Sequence, residues 1–134
     1  MIDDIYIEGT RKTPEIDFSY KSGILCISGI SVPEDTLGFY DKITDWIADY
    51  IKEPKKNTKL IFRLEYYNTS SSLIFLNIFN MFSDVDSIIE IDWYYEEDDT
   101  DMLEVGEDLS KSSPAVKFHT SLPSLVERAY TLWS

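Results

Sequence analysis

The sequence predicts a single α/β domain spanning residues 1–134, in which a mixed sheet carries helices mainly on one face. Two long stretches, 59–67 and 88–95, alternate apolar and polar residues, which is typical of strands with one covered face. Two others, 33–53 and 73–82, carry apolar residues at helical spacing, as expected for helices packed on such a face. A chain of 134 residues is also an ordinary length for one domain.

The elements are predicted in the order β-β-β-α-β-α-β-α-β-α, which indicates a mixed sheet with helices mainly on one side. Three short β-like runs separated by turn residues open the chain. In the first helix we expect Pro33 at the first helical position and an end before Pro54. The predicted elements are 5–7, 15–18, 23–28, 33–53, 59–67, 73–82, 88–95, an acidic loop and short helix at 98–109 ending near Gly106, 116–119, and an amphipathic helix at 122–133.

The negative charge is concentrated in one segment. The formal net charge is −13, and residues 84–110 hold 12 of the 25 acidic residues without a lysine or arginine. Such a surface repels nucleic acid and anionic lipid and could steer a basic protein partner, although a solvated face that keeps the protein soluble explains it equally well. With one cysteine, no signal peptide pattern and no long apolar stretch, a cytoplasmic protein without membrane insertion is expected.

Catalytic and metal-binding motifs are weak in this sequence. His119 is the only histidine, the five glycines are scattered singly, and the acidic run 96–101 lacks the spacing of an EF-hand loop. We therefore predict a protein that is not an enzyme and that needs no cofactor or metal. The alternative is a domain that binds a small molecule or a metal, with or without catalysis, through the acidic segment and nearby aromatic residues.

A turn rich in hydroxyl groups connects the strand at 59–67 to the second long helix. Asn68, Thr69 and Ser70 are all favoured N-cap residues, because their side-chain oxygens accept hydrogen bonds from the unpaired amides of the first helical turn. One cap needs only one of them. A helix start also tolerates a phosphate, so the turn is either a cap alone or a cap and a phosphorylation site.

Aromatic residues flank this turn and the acidic run. Strand residues alternate between faces, so not all of these side chains can point into the core. Exposed aromatic residues beside charge are typical of a protein-binding surface, and packing at the rim of a half-covered sheet explains them equally well. The predicted partner-binding residues are Tyr66, Tyr67, Asn68, Ser70, Ser71, Trp93, Tyr94, Tyr95, Glu96, Glu97, Asp98 and Asp99.

Four ordered segments of the chain match the pattern of a known family: Gly9-Thr10 with Thr13-Pro14, the Gly29-x-Ser31-x-Pro33-Glu34 entry to the first helix, residues 64–71, and residues 93–99 with 106–108. Over roughly residues 5–119 the chain thus resembles the SiaC-type family of small bacterial regulatory phosphoproteins. The resemblance implies a fold similar to STAS domains of the anti-anti-sigma type, whose phosphorylated hydroxyl also lies at a helix start after a strand. Thr69 occupies the position of the family's phosphothreonine.

By the same resemblance, a dedicated protein kinase phosphorylates Thr69 and a PP2C-type phosphatase reverses the modification. The unphosphorylated form is then expected to bind and activate a diguanylate cyclase, which would make this a non-catalytic protein of cyclic-di-GMP signalling. The chain departs from the usual family pattern at Asp35, where members often carry Asn, and in its tail at 120–134. The regulated partner could therefore be another signalling enzyme.

Overall fold

The computed structural model describes residues 2–96, 99–111 and 116–122, without the side chains of 96, 109, 110, 116 and 118–122. Over this part of the chain, six strands form one sheet in chain order. The elements are β1 (Ile5–Ile7), β2 (Glu15–Ser19), β3 (Ile24–Ser31), α1 (Thr36–Tyr50), β4 (Asn57–Tyr67), α2 (Thr69–Met81), β5 (Ile88–Glu96), α3 (Thr100–Ser110) and β6 (Val116–Leu122).

The sheet is mixed, as predicted. The strands β1, β2 and β3 pair in antiparallel fashion, whereas β3, β4, β5 and β6 pair in parallel. Parallel neighbours need crossover connections, which α1, α2 and α3 supply. The predicted helix at 122–133 starts at the last residue of β6 and otherwise lies outside the described residues. No helix in the described ranges is long and apolar enough to cross a membrane.

Strand register places the large apolar side chains on one face of the sheet. Phe18, Leu25, Leu60 and Ile91 lie side by side across four strands, because each pairs with the next in register. The buried faces of α1 and α2 pack against this row in one cluster. Burying each such side chain contributes about 1.5–3 kcal/mol. The buried residues that α1 and α2 contribute to this cluster are Tyr40, Ile43, Ile47, Tyr50, Ile74, Phe75, Ile78 and Phe79.

Several helix boundaries differ from the sequence prediction, and among them α1 ends at Tyr50 and α2 begins at Thr69, four residues before the predicted start at Leu73. The first helix begins at Thr36 and not at Pro33, because Asp35 is the N-cap and its Oδ1 accepts a hydrogen bond from the Gly38 amide at 3.0 Å. The third helix continues through Gly106, where we expected it to end. Gly106 is buried in the interior of α3, and the helix continues through it despite the low helix propensity of glycine.

A β-bulge reverses the alternation at the end of β4. Leu64 pairs with Gly29 and Tyr66 pairs with Ile30, so Glu65 is an extra residue on β4. The alternation of 59–67 predicts Tyr66 on the covered face with Leu64, but the bulge turns it to solvent, and it is 62% exposed. Residue 67 takes its place on the core side. The prediction for Tyr66 was wrong because alternation within one strand does not reveal an inserted residue.

Two glycines have positive φ angles, and replacing either of them by alanine should destabilise the fold. The two losses should be unequal. Gly23 (φ 71°) and Gly29 (φ 105°) both adopt backbone conformations that cost an alanine about 1–3 kcal/mol. At Gly23 a Cβ would also lie 2.5 Å from the Asn57 carbonyl oxygen, whereas at Gly29 its nearest neighbour would be 3.9 Å away. Gly23→Ala should therefore lower the free energy of unfolding more than Gly29→Ala in chemical denaturation. Equal losses would mean that the Asn57 contact relaxes without cost.

Candidate functional site

The candidate site lies at the edge of the sheet where the parallel strands β3, β4 and β5 end. In open α/β sheets, this carboxyl edge is the usual position of functional groups. The helices α1 and α2 begin directly after β3 and β4, so their N-termini open at the same edge. Thr69, the predicted phosphorylation site, is the first residue of α2.

The segments that carry the family resemblance meet at this edge. The loop between β1 and β2 reaches it through Lys12, whose carbonyl accepts a hydrogen bond from the Val32 amide at 2.7 Å. The end of β3 contacts the next turn through Ser31, whose carbonyl accepts from the Asn68 amide at 3.1 Å. Residues distant in sequence thus form one continuous surface around the start of α2.

The N-cap of α2 is Asn68. Its backbone is extended (φ −91°, ψ 173°), and its Oδ1 accepts a hydrogen bond from the Ser71 amide at 2.9 Å. Of the three candidate caps in the sequence, the structure therefore uses the first. Thr69 and Ser70 are both exposed, and no hydrogen bond among the described residues uses the Thr69 hydroxyl. This hydroxyl is accessible and is not needed for capping.

The next two hydroxyls have structural roles. Ser71 is completely buried, and its Oγ donates to the Ser31 carbonyl at 3.0 Å. Ser72 is half-buried, and its Oγ donates to the Thr69 carbonyl at 2.7 Å. The placement of Ser71 in a partner-binding surface therefore needs correction, because its side chain faces the core.

An acidic cavity of about 400 Å³ opens beside Thr69, between the end of β4, the first turn of α2 and the start of α3. Three carboxylates contribute to it, and its described lining contains no lysine, arginine or histidine. A negative group placed on Thr69 would therefore face negative neighbours. The lining residues are Glu65, Tyr66, Tyr67, Asn68, Thr69, Ser72, Asp99, Asp101, Met102 and Val105.

Hydrogen bonds join the α3 wall of this cavity to the core. Asp99 Oδ1 accepts from the Met102 amide at 3.0 Å and so caps the first turn of α3. The Met102 carbonyl accepts from the Trp93 indole N–H at 3.1 Å. On the opposite wall, burial and, to a smaller extent, the Asp99 carboxylate raise the pKa of Tyr67. The Tyr67 phenol therefore remains protonated at neutral pH.

The predicted aromatic surface is divided among three environments. Trp93 is 1% exposed and lies among core rings, with centroids 5.6 Å from Phe62 and 6.1 Å from Tyr67, so assigning it to a binding surface was wrong. Tyr95 is half-buried and also packs on the core side. Tyr94 lies on the opposite face of the sheet under the Arg63 guanidinium, 4.6 Å away. These three residues do not form one surface with Thr69.

Two exposed leucines at this edge were missed by sequence reasoning. Leu37 in the first turn of α1 is 74% exposed, and Leu73 in the second turn of α2 is 62% exposed. Leu73 is four residues after Thr69, so both side chains lie on the same helix face. Apolar periodicity assigned both leucines to buried faces, and no sequence signal marks them as exposed.

The acidic segment is partly neutralised by lysines from other strands. On β5, Asp92 lies 3.4 Å from Lys59 and is only 5% exposed in its side chain. Glu90 binds Lys117 on β6 at 2.6 Å, and the hydrogen bond from that lysine lowers the pKa of Glu90. The alternation of 88–95 predicts Asp92 on the solvent face, but its side chain is nearly buried beside Lys59 of β4. The predicted site residues Glu97 and Asp98, and the side chain at 96, lie outside the described structure.

No group of three or more His, Cys, Asp or Glu side chains in the described ranges is arranged to hold a metal ion. The described ranges leave out residues 97 and 98 and the side chains at positions 96 and 119.

The family model for SiaC family regulatory phosphoproteins matches residues 7–122. A relative, the uncharacterized protein PA14_02130 of Pseudomonas aeruginosa (strain UCBPP-PA14), is 26% identical over 108 residues, which are 78% of this chain and 86% of the relative. Both matches include the hydroxyl turn and most of the sheet.

Solved structures of SiaC from Pseudomonas aeruginosa have the same fold. Apo-SiaC matches with a TM-score of 0.79 at 24% identity, over 88% of this chain and 99% of that chain. A second structure contains the diguanylate cyclase SiaD in complex with its activator SiaC, and it matches with a TM-score of 0.79 at 24% identity, over 87% of this chain and 100% of that chain. The likeness extends over almost the whole length of those chains.

Removing the Asn68 cap should destabilise the protein measurably. Asn68→Ala leaves the Ser71 amide without its side-chain acceptor and should lower the free energy of unfolding by about 1 kcal/mol. Asn80→Ala is the matched control, because Asn80 is exposed near the other end of the same helix. Thermal denaturation of the two variants beside the wild type gives the comparison. A loss no larger than that of the control would mean that Thr69 or Ser70 replaces the cap.

Proposed function

The chain belongs to the SiaC family of regulatory phosphoproteins, and from this membership we propose that Thr69 is its reversibly phosphorylated residue. One observation carries the proposal: Thr69 begins α2 with an exposed hydroxyl that the Asn68 cap does not need. A helix N-terminus accommodates an added phosphate, because its free amides and its dipole favour negative charge. Intact-mass spectrometry of protein purified from its own cells, followed by peptide mapping, tests for one phosphate on this residue.

We further propose that the unphosphorylated form binds and activates a diguanylate cyclase. The support is the complex in which SiaC of Pseudomonas aeruginosa, a protein of the same fold, is the activator of the cyclase SiaD. In this proposal the chain is a single, non-catalytic domain that acts in cytoplasmic cyclic-di-GMP signalling. A protein kinase adds the phosphate and a PP2C-type phosphatase removes it.

The proposed contact surface surrounds Thr69. Among the described residues at this edge of the sheet, Tyr66, Leu37 and Leu73 are large exposed apolar side chains, and the exposed Ser70 follows Thr69 in the chain. Exposed aromatic and aliphatic side chains next to polar groups suit the centre of a protein interface. Asn68 fixes the backbone of this surface, and the half-buried Tyr67 supports it from the core side.

Phosphorylation should release the partner without unfolding the domain. A phosphate on Thr69 adds about −1.5 to −2 charges, beside a cavity that Asp99 and Asp101 already make acidic. Within the free protein, the helix dipole offsets part of this cost, by roughly 0.3–1 kcal/mol. At an interface, a desolvated dianion without a cationic mate costs a few kcal/mol, and about 1.4 kcal/mol already lowers affinity tenfold.

Substitutions at Thr69 should separate binding from stability. Thr69→Ala should bind the cyclase constitutively with an unchanged melting temperature, since its hydroxyl makes no hydrogen bond within the described residues. Thr69→Asp should bind at least about tenfold more weakly, because it adds a buried charge at the interface. Ser70→Ala is the neighbouring control and should retain phosphorylation. Titration calorimetry with the cyclase of the same organism and thermal melting measure both properties.

The proposed switch would be contradicted by equal cyclase affinities of the wild type, both Thr69 variants and the phosphorylated protein. A phosphorylated form that binds more tightly would reverse the sign of the switch. Either result would assign the hydroxyl turn a different role.

The acidic run next to α3 should accelerate association with the partner. Replacing Glu96, Glu97 and Asp98 by their amides removes three charges that act over a Debye length of about 8 Å at physiological salt. Asp99 is left in place because it caps α3. The association rate measured by stopped flow should fall and lose part of its salt dependence.

A control for this experiment removes three acids from the far half of α1 and the residues after it, through Asp45→Asn, Asp49→Asn and Glu53→Gln. Both variants have the same net charge, so only the position of the charges differs. If the rates of the two variants agree at low salt, the acidic run has no local steering role.

A further inference from the structure

A chain of three buried hydroxyls lies directly behind the hydroxyl turn, residues 68–72, which contains Thr69. Tyr40 of α1, Ser31 of β3 and Ser71 of α2 are each 0% exposed. The Ser31 Oγ lies 2.6 Å from the Tyr40 hydroxyl and 2.7 Å from the Ser71 Oγ, and the Ser71 Oγ donates to the Ser31 carbonyl at 3.0 Å. We call this set the Tyr40 relay.

Counting protons fixes the direction of the Tyr40 relay. Each hydroxyl has one hydrogen to donate. Because Ser71 donates to the Ser31 carbonyl, Ser31 must donate to Ser71, and Tyr40 must donate to Ser31. Burial raises the pKa of Tyr40, against the smaller effect of its hydrogen-bond partners, so the phenol stays protonated as a donor. Every hydroxyl in the relay is therefore satisfied.

The relay ends on the two residues that enclose Thr69 and Ser70. The Ser31 carbonyl accepts both the Ser71 hydroxyl and the Asn68 amide, at 3.0 and 3.1 Å. Asn68 and Ser71 are also joined to each other by the cap hydrogen bond. Thr69 and Ser70 thus connect two residues that are fixed to the same carbonyl group, and their outward placement follows from this attachment.

We infer that Tyr40, Ser31 and Ser71 are positioning residues for modification of Thr69. The relay keeps the Ser71 hydroxyl buried, where a modifying enzyme cannot reach it. It also fixes the first turn of α2 so that Thr69 stays exposed to such an enzyme. This inference rests on the proposed function of Thr69 as the phosphorylated residue.

A second relay provides a control inside the same molecule. At the other end of α1, the Tyr50 hydroxyl lies 2.7 Å from Thr58 Oγ1, Thr58 lies 2.7 Å from Ser87 Oγ, and Ser87 donates to the Lys55 carbonyl at 2.7 Å. We call this set the Tyr50 relay. As in the Tyr40 relay, a tyrosine hydroxyl is followed by a Ser or Thr hydroxyl, then by a serine hydroxyl, and finally by a backbone carbonyl. It lies at the opposite edge of the sheet, where β4 and β5 begin. Its hydrogen bonds involve none of residues 68–72.

The test compares matched substitutions in the two relays. Tyr40→Phe and Ser71→Ala interrupt the Tyr40 relay, and Tyr50→Phe and Ser87→Ala interrupt the Tyr50 relay. In each folded variant, amide hydrogen exchange is measured over residues 68–73. The Tyr40 relay variants should exchange about tenfold faster in this segment, as expected when a local opening becomes easier. The Tyr50 relay variants should exchange there like the wild type.

The second measurement locates the phosphate. Each variant replaces the wild-type gene in its own cells, and the purified protein is mapped by tandem mass spectrometry. Interruption of the Tyr40 relay should lower the phosphorylated fraction at Thr69 severalfold and place phosphate on Ser70, whereas interruption of the Tyr50 relay should leave the site unchanged. The melting temperatures of all four variants show how much of any change in phosphorylation reflects a loss of overall stability.

The outcomes distinguish this inference from the proposed function. A wild-type protein without phosphate on Thr69 would overturn the proposed function and the positioning role that rests on it. A phosphorylated wild type, with exchange and site occupancy equal in both relay sets, would overturn the positioning role alone.

Discussion

The hydrogen bonds that fix Asn68 are the constraint on which the candidate site depends. The Asn68 amide is held by the Ser31 carbonyl, and its side chain caps α2 at the Ser71 amide. Because the cap is already supplied by Asn68, the Thr69 hydroxyl makes no hydrogen bond within the described part of the chain. A modification can therefore be added and removed at Thr69 while the helix start remains intact. In the proposed switch, regulation and folding would use neighbouring residues of the same turn but different atoms.

The core and the site share one further connection, through Trp93. Its ring packs in the aromatic core, and its indole N–H holds the Met102 carbonyl of α3. The acidic wall of the cavity is thereby attached to the most buried part of the sheet. A charge added to Thr69 would lie beside Asp99, whose carboxylate is held by the Met102 amide.

Much of the fold could be predicted because alternation and helical spacing are local properties of the sequence. The side-chain directions at the end of β4 could not, since the bulge at Glu65 depends on pairing with Gly29 of another strand. The hydroxyl turn was identified from residue types, but four consecutive hydroxyls look equivalent in a sequence. Only packing distinguishes the buried Ser71 from the exposed Thr69. The neutralisation of Asp92 by Lys59 is equally a product of tertiary structure.

The two relays also restrict how α1 can move. Tyr40 and Tyr50 are ten residues apart, or about 15 Å along the helix axis, and each is attached to the sheet through buried hydroxyls. A sliding step of one helical turn, or a rotation about the axis, would break both attachments at once. Helix α1 is therefore attached to the sheet by hydrogen bonds at two points, which hold it rigidly in place. A partner that contacts its first turn meets a surface whose shape is set before the encounter, which favours rigid-body docking.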